Sequence, residues 1–150
     1  MYRHHNSDFL DRKEKKKMAE GYNPDSIFTP VAAYMQGVEV QAGERTIYVA
    51  GMVGVRPDGT LPESMEDQTE QVFLNIRGVL RERGMDIDNI VSTQTFVTTR
   101  DDIPGYREGR ERVVGVGPNA PKWAAATITV AGLTNPDWKV EICTVAAKKD

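Results

Sequence analysis

The chain has a single cysteine, Cys143, and two histidines, His4 and His5, both near its start. One thiol cannot close an intramolecular disulfide, so the fold needs no oxidising compartment. Two adjacent histidines with no companion at ligand spacing do not build a histidine-based metal centre, and no metal or other cofactor is expected. Long apolar runs are missing too. Nothing approaches the roughly 20 residues that cross a bilayer, and no stretch has the apolar core of a signal peptide. The expectation is a soluble cytoplasmic protein without a membrane partner. Nor is there an excess of positive charge, since 19 Lys/Arg stand against 22 Asp/Glu. Residues 1–22 hold six of those cations and four of those acids, leaving 13 and 18 for the rest. An acidic body argues against a nucleic-acid partner gripped through its phosphates.

What is present fits one domain. A chain of 150 residues buries a real core, and composition divides it into a charged extension over residues 1–22 and a single domain over residues 23–150. Asn6 or Ser7 caps an expected short helix over residues 8–19, with few apolar residues to dock it. The Lys15-Lys16-Lys17 run reads as a solvated face. Met18 offers an internal start, and the residues before it are expected to be separable from the fold.

Periodicity then sets out the domain. Residues 34–40 read as a strand. Residues 46–53 are apolar at nearly every position and are expected to be buried on both faces. Pro57-Asp58-Gly59 marks a turn. Ser64 opens a helix in which Val72, Phe73, Ile76, Val79 and Leu80 form one stripe, and Gly84 stops it. Residues 90–98 form another strand. Asp101-Asp102-Ile103-Pro104 caps a weaker helix to Val114, interrupted by Gly109.

The last part of the domain is its most informative. In residues 121–130, Ala124, Ala126, Ile128 and Val130 alternate with Trp123, Ala125, Thr127 and Thr129. After the turn residues Thr134-Asn135-Pro136-Asp137, Val140 and Ile142 alternate with Glu141 and Cys143. These runs are expected to form an antiparallel pair. One aliphatic face lies beneath the helices; the other carries Trp123, Thr127, Glu141 and Cys143 as a pocket wall. Two helices cover only one face of such a sheet. The other face, with Tyr48, Met52 and Val145, calls for a second subunit as cover.

Several motifs occur in order along this frame: Tyr34-x-Gln36-Gly37, Tyr48-Val49-Ala50-Gly51, Asp67-Gln68-Thr69, Asn75-Ile76, Ile90-Val91-Ser92-Thr93 and Val140-Glu141-Ile142. Over residues 28–148 the sequence resembles the reactive intermediate deaminase family, also called the Rid or YjgF family. The resemblance implies an α+β, chorismate-mutase-like mixed sheet with two helices on one face. It also implies a homotrimer with small-molecule pockets between subunits, and hydrolysis of imines and enamines to a ketone and ammonia. Glu141 matches the family's pocket glutamate and Tyr34 a pocket-lining tyrosine.

One departure stands out. The family's substrate-binding arginine, at the start of the penultimate strand, falls on Trp123 or Ala125 here, and neither is a cation. Lys122 has the opposite parity and does not replace it. Trp123 offers a flat surface suited to an aromatic or conjugated ligand, or else fills a seam between subunits. Glu141 is the candidate for orienting water or relaying a proton, with an interface ion pair as its structural alternative. Tyr34, Thr127 and Cys143 are candidate pocket-lining residues, the thiol being an inert buried cysteine rather than a nucleophile. Three readings follow: an imine or enamine hydrolase or isomerase acting on something other than small iminoacids, a non-catalytic small-molecule-binding trimer, or an RNA-cleaving relative.

Overall fold

The computed structural model describes residues 19–150. Apart from Ala19, the helix expected over residues 8–19 lies outside them, as do His4, His5 and the lysine run. The main sheet has four strands. Strand β3 (Arg45–Val53) pairs antiparallel with β6 (Val140–Lys148), which pairs antiparallel with β4 (Ile90–Val97). Beyond β4 lies β5 (Ala124–Thr129), parallel to it. A small antiparallel pair, β1 (Glu20–Tyr22) with β2 (Gly37–Glu39), stands apart from that sheet. Two expectations are corrected here. The strand over residues 34–40 shrinks to β2, and the extension ending at residue 22 closes in a strand tied to the domain.

Helix α1 (Met65–Arg81) starts where Ser64 accepts a hydrogen bond from the Asp67 N–H through its side chain. Glu66 and Asp67 in the first turn complement the positive end of the helix dipole. Val72, Phe73, Ile76 and Leu80 are fully buried against the sheet, whereas Val79, expected in that stripe, is exposed. Gly84, at φ 73°, lets the Met85 N–H turn back to the Leu80 carbonyl. Helix α2 (Ile103–Val114) begins without a side-chain cap from Asp102. Thr99 instead caps the preceding single turn, accepting from the Asp101 N–H. Gly109 does not interrupt the helix. It sits where α2 meets α1, and a Cβ there would strike the Glu66 carbonyl.

Both helices pack on one side of the sheet, over Thr93, Thr95 and Val97 of β4 and Val140, Ile142 and Thr144 of β6. Alternation sends their neighbours to the opposite side. There Tyr48 is 81% exposed, and Phe96, Ile128, Glu141, Cys143 and Val145 are covered by no described element. Strand β3 is therefore not buried on both faces within the subunit; only Val49 is. Met52 belongs to the helix side, packed against the core.

Candidate functional site

The antiparallel pairing expected between the last two strands does not occur. Each pairs with β4 instead, from opposite edges and in opposite directions. That changes which side chains share a face. Ala125 lies across from Thr93, and Thr127 from Thr95; Ile142 also faces Thr95, while Glu141 faces Phe96 and Cys143 faces Gln94. Paired residues point to the same side of a sheet. So Trp123, Ala125 and Thr127 belong to the helix side, and Glu141 and Cys143 to the open side. The single pocket wall expected from these residues is in fact two opposite faces.

The helix-side group forms a cavity of about 440 Å³ at the edge of the sheet. Residues 31–34 make one wall, ending in Tyr34. Helix α2 makes the second with Ile103, Tyr106, Arg107, Arg110 and Glu111, and Trp123, Ala125 and Thr127 make the third. The first wall is held to β5 by the Met35 N–H, which donates to the Trp123 carbonyl at 2.9 Å. A parallel bridge between Met35 and Ala124 extends that contact. Tyr34 and Trp123, distant in sequence, thereby line one cavity.

Trp123 is only 2% exposed. Its indole Nε1 donates to the Thr93 hydroxyl at 2.8 Å, and its ring tilts against Phe73 with centroids 6.4 Å apart. On its face lies the Arg110 guanidinium, 4.8 Å from the ring centroid. Such a cation–π stack contributes about 0.5–2 kcal/mol, more as the cation loses water. Burial lowers the Arg110 pKa from its ordinary value, with Tyr106 and Glu111 partly offsetting it. The guanidinium stays charged near neutral pH, because arginine starts so far above it. The indole is thus a supporting floor. Both Arg110 and the almost wholly buried Trp123 line the cavity, the guanidinium lying over the ring.

Of the residues expected to form the site, Tyr34, Trp123, Ala125 and Thr127 come together; Glu141 and Cys143 do not join them within the subunit. Glu141 lies instead beside Gly51, where a Cβ would collide with its carboxylate. Cys143 is a free, partly buried thiol. Arg107 and Arg110 are the residues the sequence reading missed. Their signal was the spacing of Ile103, Arg107 and Arg110, which puts all three on one side of α2, but the helix pattern is too weak to say which side meets β5. Among the described residues, no group of His, Cys, Asp and Glu is placed to hold a metal ion, and no helix is long and apolar enough to cross a membrane.

Residues 25–148 match the family model described as Endoribonuclease L-PSP. A RutC family protein of Aquifex aeolicus is 34% identical over 55% of this chain and 62% of its own length. A mouse 2-iminobutanoate/2-iminopropanoate deaminase is 30% identical over 52% of this chain and 57% of its own. The matched part is thus less than two thirds of each of these two relatives. A RutC family protein of Saccharolobus solfataricus is matched over 90% of its length, at 29% identity. Among solved structures, the Rid family protein YyfB of Yersinia pestis superposes with a TM-score of 0.74 at 25% identity, over 88% of this chain and all of that one. The YjgF gene product of E. coli gives 0.62 at 26% identity, over 80% of this chain and 91% of its own.

Proposed function

The chain belongs to the Rid/YjgF family, whose family model carries the description Endoribonuclease L-PSP, and from that premise we propose that it takes a small flat imine or enamine into the α2–β5 pocket and hydrolyses its C=N bond. The observation that carries this reading is the Arg110–Trp123 stack flooring a cavity of about 440 Å³ beside Tyr34. A guanidinium held over an indole makes a fixed, largely desolvated wall suited to a conjugated ligand. Small iminoacids are not the expected substrates, because Trp123 and Ala125 stand at the start of β5 where deaminases of the family carry an arginine, and the cavity's guanidiniums come from α2 instead.

Water attack on a C=N carbon needs a proton donor for the leaving nitrogen. Tyr34, Tyr106 and Glu111 are the hydroxyl and carboxyl side chains lining the cavity. Glu141, on the far side of the sheet, can serve such a pocket only across a subunit boundary. The proposed assembly is accordingly a homotrimer built on the open sheet face. The position of Glu141 also favours a second reading, in which the protein holds its ligand without turnover. Cleavage of RNA finds no support in the acidic body, whose residues 19–150 contain no histidine.

The test is ammonia release from a panel of freshly generated imines, from 2-aminoacrylate-type iminoacids to aryl-conjugated imines. Indole fluorescence quenching is followed in parallel. The proposal expects turnover of the conjugated members and little of the small ones. Quenching without ammonia selects the binding reading. A preference for the small iminoacids would overturn the substrate assignment.

A further inference from the structure

We infer that the Tyr106 hydroxyl is the proton donor of this pocket, with Thr95 as the residue that positions it. The inference rests on the pocket reading above and assigns its acid. Of the other hydroxyl and carboxyl candidates on the cavity wall, Tyr34 stands on the loop side and Glu111 is exposed to solvent. Tyr106 is 8% exposed, and its hydroxyl lies 3.3 Å from that of Thr95, itself almost wholly buried. Two hydroxyls carry two protons, and the contact between them uses one. Neither makes another hydrogen bond among the described residues, which leaves one proton for an acceptor in the cavity. With Thr95 donating, the free proton is that of Tyr106, and the bond supports the phenolate left when that proton goes. At 3.3 Å the contact is long for two hydroxyls, and it shortens as charge builds on the phenol oxygen.

A cation stands beside the same oxygen. Tyr106 and Arg110 are four residues apart on α2, so their side chains are neighbours, and the guanidinium attracts a charged Tyr106. Arg110 in turn rests on Trp123, whose indole N–H is held by Thr93. Thr93 and Thr95 thus anchor both ends of this group from one face of β4. The further charged groups nearby are Arg107 and Glu111 on α2, with Glu66 of α1 against Gly105. The lone pair of the imine nitrogen takes the Tyr106 proton as the O–H bond breaks. Water then bonds to the carbon, the C=N π pair moves to nitrogen, and the proton that water sheds returns to the phenolate. The same exchange repeats on the resulting amino alcohol. Tyr106 protonates the amine, the C–N bond breaks, and the hydroxyl gives its proton to Tyr106 as the carbonyl forms. Ammonia and the ketone leave, and Tyr106 ends as it began.

The test uses the full chain in its native assembly with freshly generated aryl-conjugated N–H imines. Ammonia release gives turnover, and indole quenching gives affinity. Tyr106→Phe keeps the ring and removes only the hydroxyl; kcat is expected to fall on the order of a hundredfold with affinity unchanged. Thr95→Val is expected to lower kcat on the order of tenfold, the worth of one hydrogen bond, and Thr95→Ser to restore it. 3-Fluorotyrosine in place of Tyr106 keeps the packing and makes the phenol more acidic, so the alkaline limb of the kcat profile should move to lower pH. A melting curve on each variant confirms that it is folded. Turnover that survives Tyr106→Phe, a loss confined to affinity, or an alkaline limb that 3-fluorotyrosine leaves in place overturns the inference while the pocket reading stands. A wild type that releases no ammonia from any of the imines removes the hydrolytic reading and the inference together.

Discussion

The indole N–H of Trp123 and the hydroxyl of Thr93 meet at 2.8 Å, and both side chains are almost wholly buried. This bond fixes the ring that supports Arg110, tying the start of β5 to the middle of β4. Thr93→Val keeps the shape and removes the acceptor, leaving a buried indole donor unpaired. The expected loss is about 1–3 kcal/mol of stability, read as a lowered midpoint in urea. Thr93→Ser restores the hydroxyl and should recover most of that loss. A valine variant as stable as wild type would show that the bond has no net effect.

Close approach of the two helices gives a paired prediction. At Gly109 a Cβ would lie on the Glu66 carbonyl oxygen and 2.7 Å from the Thr69 Cβ, and backbone cannot move aside cheaply. Gly109→Ala should therefore destabilise by about 1–3 kcal/mol, although alanine is the better helix former. Gly78, on the exposed side of α1, has nothing within 4 Å of the same construction. There the intrinsic preference is unopposed, and Gly78→Ala should stabilise by about 0.5–1 kcal/mol. Thermal melts of the two variants should move in opposite directions.

These glycines also mark what was legible in the sequence. Local signals carried far: the Ser64 cap, the buried stripe of α1 and the strand beginning at Ile90 all follow from short-range rules. The phase between β5 and β6 did not. Alternation fixes which residues share a face within one run. Between runs, the faces depend on the partner strand and its register. With β4 as common partner, Glu141 goes to the side away from Trp123. Burial of β3 was misjudged for a related reason, because an apolar sequence does not say whether its cover lies within the same subunit. Gly109 reads locally as a helix breaker, and only the adjacent Glu66 backbone explains it.

Asp86 links stability to pH. Its carboxylate accepts from the Ile87 N–H at 2.7 Å, from Arg81 at 2.9 Å and from Arg77 at 3.2 Å. Burial alone would raise its pKa, but the Ile87 hydrogen bond and the two guanidiniums outweigh that and hold it below the ordinary carboxylate value. A depressed folded-state pKa means stability that is complete above the unfolded value, about 4, and is lost as pH falls through the folded one. Asp86→Asn should therefore lower the melting temperature near neutral pH and flatten its fall in acid. The side chain is 40% exposed, so solvent screening keeps the ionic part below about 1 kcal/mol. Parallel acid limbs for the variant and the wild type would show that other carboxylates set the acid sensitivity.

The open sheet face bears on the proposed assembly. Tyr48 and Val145 are opposite one another on β3 and β6, with Phe96 and Ile128 on the strands beyond, and no described element covers them. An aromatic and aliphatic surface of this kind is costly to leave in water, and burying it yields about 25 cal/mol for each Å² removed. Further copies of the same face, arranged round an axis as in the proposed homotrimer, supply matching surface without another gene product. Light scattering at micromolar concentration should accordingly return the mass of a trimer. Val145→Arg puts a charge at the centre of that face, with Tyr48 and Ser92 as its register partners and no carboxylate directly opposite. Desolvating an unpaired guanidinium costs several kcal/mol, so the variant should dissociate to subunits that keep their secondary structure. The α2–β5 pocket has all its named walls within one subunit, whereas Glu141 can reach such a pocket only from a neighbour. Dissociation should therefore abolish any turnover that depends on Glu141 while leaving weaker ligand binding measurable. A wild type that scatters as a monomer would exclude the trimer, and with it any role for Glu141 in the chemistry of this pocket.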